Sequence, residues 1–337
     1  MLIDAFWFNN TQTEDEILQP DFFVPRTQLG LYAEGNFTSF PIEVKVEALA
    51  GGQTLLSQIL FLEKEDLVGG SIDYKICTDT QATPPDRIRV SIKSGALSGS
   101  ADIPCEYATL SGKMTDFDGN PFPAALTMSR RSFEGGETGL GVWSDLDGNY
   151  EVIVPKGLYN SFFIDDNSYA KTSLEGWGWH MVVDGDEVHD FKIGNGEVYS
   201  LSVWTNNGGS PTLFAYFRPM ALPLVASPGQ YATEINGKTF DVTDICPDLM
   251  LEDVTATLNG FALQKLSLQK VYETGDGTAM PAYILQLMRS PESAEYSAAG
   301  KQTLVVEYDM KGKDGLVAQG QGRVQFFYKD GNGLSLR

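Results

Sequence analysis

The chain has 337 residues, which at about 100–150 residues per domain predicts two or three domains. Its 24 basic residues against 45 acidic ones give a formal net charge of −21. Because such a chain would be repelled by a phosphate backbone and by an anionic membrane surface, we expect neither nucleic-acid binding nor membrane insertion. No run of apolar residues approaches the about 18 that a transmembrane helix needs.

Residues 1–106 read as short strands separated by turns. The segment Ile42–Ala48 alternates strictly between apolar and charged residues, which is the period of a half-buried strand. The other strand candidates here are Ile3–Phe8, Gln28–Ala33, Leu55–Leu62, Ser71–Cys77 and Arg87–Lys93. Their even spacing predicts an immunoglobulin-like (Ig-like) β-sandwich.

The middle of the chain carries an ordered set of turn and anchor residues. In its two Asp-x-x-Gly turns we expect Asp116 and Asp145 to accept backbone hydrogen bonds, with Gly119 and Gly148 supplying a positive φ. Two tyrosines that follow are expected in the core. The whole set is Gly112, Asp116, Gly119, Pro121, Ala125, Ser144, Asp145, Gly148, Tyr150, Pro155, Gly157 and Tyr159.

This set resembles the carboxypeptidase regulatory-like (transthyretin-like) domain, over about a quarter of the chain. The resemblance implies a seven-stranded sandwich that scaffolds or mediates contacts and is not catalytic. A zinc peptidase would need a His-x-x-Glu motif and a second distant His, and the only two histidines of this chain do not fit that pattern. We therefore expect no enzyme activity and no cofactor.

Residues 196–337 repeat the strand-and-turn rhythm and are similar to bacterial Ig-like repeats. The strand candidates are Tyr199–Trp204, Thr212–Phe217, Phe240–Val242, Val254–Leu258, Leu266–Tyr272, Tyr283–Met288, Thr303–Tyr308 and Gly322–Phe327. The sequence thus predicts an all-β fold of three consecutive β-sandwich domains. These are an N-terminal Ig-like unit (1–106), a regulatory-like unit (107–195) and a C-terminal Ig-like unit (196–337).

The two histidines flank Asp184-Gly185, a strong signal for a two-residue hairpin turn. If those residues are the turn, His180 and His189 lie opposite each other with Glu187 on the same face. Such a set could hold a divalent transition metal, and the alternative is two ordinary surface histidines. A shift of one residue in the turn would separate the pair.

Tyr169, Trp177 and Trp179 form an aromatic group in a long segment where the chain departs from the family pattern. Trp177 and Trp179 are two residues apart, so on a strand they share a face. One interpretation is a flat platform on which a sugar stacks. The other is that this face covers the sandwich core or a junction between units.

The functional prediction is a non-enzymatic structural or binding protein whose partners are other structural proteins, in a homo-oligomer or larger assembly. The favoured setting is a phage virion, as a head-decoration, fibre or tail-associated protein, because Met1 opens directly on a strand without a signal peptide. The alternative is a secreted or cell-surface bacterial adhesin or carbohydrate-binding module that contacts surface glycans. Pairing of Cys77 with Cys105 stays open.

Overall fold

The computed structural model describes residues 1–10, 12, 27–78, 83–130, 139–206, 212–288, 300–313, 316–329 and 333–335. The chain is almost entirely β-structure, which confirms the predicted fold class. Every strand candidate named above overlaps an observed strand. In the described ranges no helix is long and apolar enough to cross a membrane.

The N-terminal unit packs a three-stranded sheet on a four-stranded one. The first sheet has the order β1-β2-β5 and the second the order β4-β3-β6-β7, all antiparallel. A short 3₁₀ turn, Lys64–Asp66, follows β4. The strands are β1 (Leu2–Asn9), β2 (Thr27–Glu34), β3 (Ile42–Ala50), β4 (Gln53–Leu62), β5 (Ile72–Thr78), β6 (Arg87–Ser94) and β7 (Leu97–Pro104).

The middle unit packs the strands β10-β9-β12-β13 on a second sheet in which β8 pairs with β11, β14 and β15. Its strands are β8 (Tyr107–Thr115), β9 (Ala125–Ser129), β10 (Gly139–Trp143), β11 (Asn149–Pro155), β12 (Gly157–Asp165), β13 (Gly176–Val183), β14 (Glu187–Val188) and β15 (Phe191–Lys192).

The turn chemistry of the middle unit is as the sequence predicts. Asp116 Oδ1 accepts hydrogen bonds from the N–H groups of Asp118 and Asn120, at 2.9 and 2.8 Å. Asp145 does the same in the second turn, and Gly119 and Gly148 have φ values of 84° and 79°. Tyr150 and Tyr159 are both buried. Pro121 forms an isolated bridge to Thr115, and the next strand begins only at Ala125.

The C-terminal unit contributes strands to two sheets. One is six-stranded, with the order β16-β17-β23-β19-β18 and β22 also paired to β23. A short helix, α1 (Leu222–Ala226), and a 3₁₀ turn, Leu251–Asp253, complete the unit. Its strands are β16 (Gly196–Trp204), β17 (Thr212–Ala221), β18 (Gly229–Ile235), β19 (Lys238–Asp244), β20 (Val254–Leu258), β21 (Phe261–Ala262), β22 (Gln264–Gly275), β23 (Thr278–Met288), β24 (Gly300–Lys313), β25 (Leu316–Lys329) and β26 (Gly333–Ser335).

The middle and C-terminal units share one sheet. Strand β13 pairs in parallel with β25, with Trp177 opposite Gly322 and Trp179 opposite Val324. This pairing joins the four strands of the middle unit to β25, β24, β20, β21 and β26 in a nine-stranded sheet. The two units therefore abut without a spacer, although their exact boundary at residues 195 and 196 stays a prediction.

Strand β1 is buried on both faces and joins the N-terminal unit to the middle unit. Ala5 and Trp7 lie in the core of the N-terminal unit, while Phe6 and Phe8 lie in the core of the middle unit. The guanidinium carbon of Arg130, from the middle unit, is 5.2 Å from the centroid of the Phe6 ring. Because its side chains alternate between two cores, β1 fixes the two units against each other.

Removal of the Phe6 ring tests this junction. Phe6 is only 7% exposed, so Phe6→Ala should lower the free energy of unfolding by about 3–5 kcal/mol, through lost burial and the cavity left behind. Leu2→Ala is the control on the same strand, since Leu2 is 50% exposed and should change stability little. Urea denaturation of the full chain measures both. Equal effects of the two substitutions would contradict the assigned role of Phe6.

Gly322 allows β25 to approach β16 closely. A Cβ atom at this position would lie 2.7 Å from the carbonyl oxygen of Val198 and 2.8 Å from its Cγ1. Gly322→Ala should therefore destabilise the chain by about 1–3 kcal/mol, because the backbone oxygen has to move. At Gly275 a Cβ would meet nothing within 4 Å, so Gly275→Ala is the matched control. The same denaturation measurement should separate the two variants.

Candidate functional site

Two of the three aromatic residues predicted from the sequence, Trp177 and Trp179, meet at the junction of the middle and C-terminal units. Trp177 and Trp179 share a face of β13 as expected, and their rings stack with centroids 4.6 Å apart and planes 6° from parallel. Phe163, opposite Trp177 on β12, stacks on Trp177 at 5.0 Å. Tyr199 of β16 meets both indoles edge-on, at 5.2 Å and 89°.

The two tryptophans are therefore packed more closely than an open platform requires. Their rings stack on each other, and Trp179 also packs against the core of the C-terminal unit. This arrangement supports the alternative in which the tryptophan face covers a junction. Tyr169 differs, because 41% of its surface is exposed.

A hydrogen-bonded loop between β12 and β13 holds Tyr169. Asp166 Oδ1 accepts hydrogen bonds from the N–H and the hydroxyl of Ser168 and from the hydroxyl of Ser173, at 2.9, 2.6 and 2.7 Å. Asn167 and Ala170 take the left-handed conformation, with φ values of 63° and 60°. These contacts fix the backbone on both sides of Tyr169.

Two glutamates, Glu175 and Glu197, lie close enough to Tyr169 for their charges to act on it. Glu197 is fully buried, and its Oε2 accepts a long hydrogen bond, 3.5 Å, from the backbone N–H of Glu175. Burial, and then the charge of Glu175, raise the pKa of Glu197 well above its usual value. Burial, and then the charge of Asp165, raise the pKa of Glu175 to about 7. Burial and the charges of Glu197 and Glu175 raise the pKa of Tyr169 to about 12.

Several buried polar atoms of this cluster lack a hydrogen-bond partner within the described part of the chain. They are Nε1 of Trp179, Nε of Arg218 and Oε1 of Glu197. The Arg218 guanidinium lies over the Tyr199 ring, at 4.8 Å from the centroid, and Nη1 donates to Glu273 at 3.0 Å. Each unpaired buried atom costs about 1–3 kcal/mol, so such a concentration is typical of sites that bind water or a polar ligand.

We define the junction site as Tyr169, Glu175, Trp177, Trp179, Glu197, Tyr199 and Arg218. The period of β13 was enough to place Trp177 and Trp179 together. Glu175, Glu197, Tyr199 and Arg218 were missed, because the last three reach the site only through the pairing of β13 with β25 and the packing of β16 beside it. No local pattern in the sequence indicates that contact.

The hairpin expected at Asp184-Gly185 is not formed. Strand β14 pairs in parallel with β8, so the predicted opposition of His180 and His189 was wrong. The physical reason is that β13 already has β12 on one side and β25 on the other. The chain after Asp184 runs instead along β8, where His189 N–H donates to the carbonyl of Ser111 at 2.8 Å.

His189 and Glu187 are brought together, with Nε2 and Oε2 3.0 Å apart, and Lys301 binds the same carboxylate. Burial raises the pKa of Glu187, but the hydrogen bonds from His189 and Lys301 outweigh it and lower that pKa to about 2. His180 lies on β13 with a φ of 53°. Within the described ranges no group of three His, Cys, Asp or Glu side chains could hold a metal ion. Metal binding by His180, Glu187 and His189 stays a prediction. The opposition of His180 and His189, from which it was inferred, is not formed.

Cys105 and Cys246 are free thiols in this structure. Cys77 is exposed, Cys105 is partly buried and Cys246 is buried. Burial raises the pKa of the Cys246 thiol to about 12. The possible pairing of Cys77 with Cys105 is not formed.

No family model matches the chain, so the resemblance of its middle to the carboxypeptidase regulatory-like domain stays a prediction. No curated protein matches it either. One similar solved structure is a protein from Bacteroides uniformis whose description proposes carbohydrate binding. It is 14% identical to this chain, the match covers 66% of this chain and 99% of that one, and the TM-score is 0.23. A DUF3823 family protein from Parabacteroides merdae is 12% identical, with coverages of 65% and 98% and a TM-score of 0.21.

The major pilin subunit BcpA of Bacillus cereus is 9% identical, with 65% of this chain and 69% of the pilin covered and a TM-score of 0.21. Identities and TM-scores this low carry no argument about function. The functional argument below therefore depends on the junction site alone.

The acid pair makes stability depend on pH. Because the pKa of Glu175 is raised to about 7 in the folded chain, the folded state holds its proton more tightly than the unfolded state does. The resulting stabilisation is complete below the unfolded pKa of about 4.3 and is lost as pH rises through about 7. The full shift corresponds to about 3.7 kcal/mol; because Glu175 is only partly buried and solvent screens its charge, we expect Glu175→Gln to remove a loss on the order of 2 kcal/mol between these pH values.

Denaturation midpoints at several pH values measure this effect. Glu151→Gln is the matched control, because Glu151 is exposed on β11 and lies outside the junction site. A pH profile of Glu175→Gln that matches the profile of the unaltered chain would contradict the raised pKa.

Proposed function

We propose that this chain is a non-enzymatic structural and binding protein that acts outside the cell or on a cell surface and binds carbohydrate at the junction site. The observation that carries the proposal is the Tyr169 ring, which is 41% exposed and lies near the partly buried Glu175 and Arg218. A sugar has apolar C–H faces and hydroxyl edges. An aromatic ring near a carboxyl and a guanidinium suits both, since binding sites combine apolar walls with a few placed polar groups.

Electrostatics support the choice of a neutral, hydroxyl-rich ligand. The site combines the carboxyls of Glu175 and Glu197 with a single guanidinium, that of Arg218, which is already paired with Glu273. An anionic ligand would have to approach these carboxyls in a chain of net charge −21. Sugar hydroxyls can donate to the partly buried carboxyl of Glu175 and accept from the partly buried guanidinium of Arg218.

The geometry supports binding rather than hydrolysis. Glu197 has no exposed surface, so its carboxyl cannot reach a glycosidic bond in a ligand at the Tyr169 ring. A hydrolase of the usual kind needs two carboxyls that flank the bond it breaks. The sheet shared by the middle and C-terminal units also supports a rigid structural role, and so does β1, whose side chains lie in the cores of two units. These contacts restrict movement of the three units relative to one another.

The proposed location outside the cell rests on the proposed glycan binding, and a result that contradicts glycan binding also removes the support for this location. The virion setting, which the sequence favoured, stays a prediction that no contact in the structure supports.

A glycan array tests the proposal. We expect the full chain to bind at least one glycan, and Tyr169→Ala to weaken that binding by about tenfold or more, which corresponds to about 1.4 kcal/mol. Tyr231→Ala is the matched control, because Tyr231 is also 41% exposed but lies on β18, outside the junction site. Circular dichroism establishes that both variants fold.

Two results would overturn the proposal. One is an array on which the unaltered chain binds nothing. The other is a glycan that Tyr169→Ala and Tyr231→Ala bind equally well.

A further inference from the structure

The six-stranded sheet of the C-terminal unit has a core face and an outer face. Leu213 and Ala215 of β17 and Leu285 of β23 lie in the core. Phe214 and Tyr216 alternate with the core residues of β17 and point to the other side, where both are partly exposed. The outer face is therefore partly open to solvent along β17.

This outer face is continuous with the junction site. Tyr169 lies close enough to Tyr199 and Arg218 for their charges to act on it. Tyr199 and Arg218 are directly opposite each other on β16 and β17, and they belong both to the junction site and to the outer face. Arg218 and the hydroxyl of Tyr216 both donate to Glu273 of β22, at 3.0 and 2.8 Å. These contacts lead from the junction site onto the sheet without a break.

Beyond Tyr216 the face carries a second aromatic pair. Phe214 lies two residues before Tyr216 on β17, and Trp204 is opposite Phe214 on β16. The rings of Trp204 and Phe214 stack with centroids 5.6 Å apart and planes 15° from parallel, and both side chains are partly exposed. The four residues from Arg218 to Phe214 span about 13 Å, at about 3.3 Å per residue. Aromatic surface is thus present well away from Tyr169.

Uncharged polar side chains flank this aromatic row. Gln286 of β23 is opposite Phe214, and Ser267 of β22 donates to the Gln286 side chain at 3.3 Å. Ser202 of β16 is opposite Tyr216. Hydroxyl and amide groups thus offer hydrogen bonds beside the rings. We define the outer strip as Ser202, Trp204, Phe214, Tyr216 and Gln286.

The outer face is nearly neutral, although the chain carries a net charge of −21. On the described strands β16, β17, β22 and β23, the only charged residue that points outward beyond the junction site is Glu273, and Arg218 pairs with it. An uncharged ligand suits such a face, because a charged one would lose hydration without gaining a partner. The outer face of the four-stranded N-terminal sheet differs, since it carries Glu43, Lys45, Glu47, Arg87, Arg89, Lys93 and Asp102.

We propose that the ligand of the junction site is an uncharged oligosaccharide chain, and that its further sugar units lie along the outer strip as far as Trp204. This inference rests on the proposed glycan binding at Tyr169 and adds the path and the length of the bound chain. A single sugar ring is shorter than the about 13 Å between Arg218 and Phe214, so only several linked units contact both ends. Their C–H faces pack against the aromatic rings, and their hydroxyls bond Ser202 and Gln286.

The shape of the outer strip favours a linear polymer over a protein partner. A stable protein interface buries about 800 Å² on each partner, with a broad apolar centre and a polar rim. The outer strip is a single row of aromatic side chains on two strands, with polar groups directly beside it. A sugar chain repeats the same apolar and polar features along one line, as this row does.

Titration calorimetry of the full chain tests the inference with disaccharides and hexasaccharides of the cello-, malto-, manno- and xylo-series. For at least one series we expect the hexasaccharide to bind about tenfold or more tightly than the disaccharide, because only the longer chain reaches the outer strip. Trp204→Ala should weaken hexasaccharide binding by about tenfold and leave disaccharide binding unchanged. Tyr169→Ala should weaken the binding of both.

Two further variants make the test independent of the folding of Trp204→Ala. Gln286→Ala keeps every ring and should weaken hexasaccharide binding alone, by about fivefold, through the loss of one or two hydrogen bonds. Phe61→Ala is the matched control, because Phe61 is an aromatic residue that is 63% exposed on the outer face of the N-terminal sheet. It should change neither affinity. Circular dichroism establishes that each variant folds.

The outcomes separate this inference from the glycan binding on which it rests. An array without any bound glycan contradicts both. If the array shows a bound glycan but every hexasaccharide binds no more tightly than its disaccharide, the path along the outer strip is wrong and the site at Tyr169 remains. The path is also wrong if hexasaccharide affinity is the same in Trp204→Ala, Gln286→Ala and Phe61→Ala.

Discussion

The parallel pairing of β13 with β25 is the contact on which the C-terminal two-thirds of the molecule depends. Its register covers only three residues on each strand, from Trp177 opposite Gly322 to Trp179 opposite Val324. A ladder this short is marginal by itself. Side chains extend it, since Gln325 accepts from the backbone N–H of Val182 at 2.6 Å and Lys301 donates to the carbonyl of the same residue at 3.0 Å.

The same junction buries charge, which makes it specific as well as stable. Arg323 on β25 is only 6% exposed; it lies over the Phe191 ring at 4.1 Å and donates to the carbonyl of Asp190. Burial lowers the pKa of this guanidinium. A buried charge is costly unless its partners are in place, so another register of β25 against β13 would remove the contacts of Arg323 with Asp190 and Phe191. The junction site includes Trp177 and Trp179 of this contact, so the same pairing holds its residues in place.

Local patterns predicted the strands and turns, and long-range pairing decided the rest. Period-two alternation located segments such as Ile42–Ala48, and Asx chemistry located the turns at Asp116 and Asp145. Both depend on neighbours a few residues away. The hairpin at Asp184-Gly185 was predicted by the same local logic and failed, because β13 had both edges occupied. Glu197 could not be assigned to the site from its own surroundings, since its contact with Glu175 exists only after two units have packed.

In the described part of the chain, segments distant in sequence cover two strand edges. The edge of β13 is taken by β25, and at β10 Gln12 both accepts from the N–H and donates to the carbonyl of Trp143, at 2.7 and 2.6 Å. In each case a segment distant in sequence supplies the partner of the edge, through its backbone at β25 and through a side chain at Gln12. A fold in which strand edges make contacts between units needs charge or proline on the edges that stay open, because these prevent pairing with other strands. Strand β7 has both. Strand β4 carries a bulge instead, where Leu56 lies opposite Ala48 and Thr54 opposite Leu49, so the two edges of this sheet are protected by different devices.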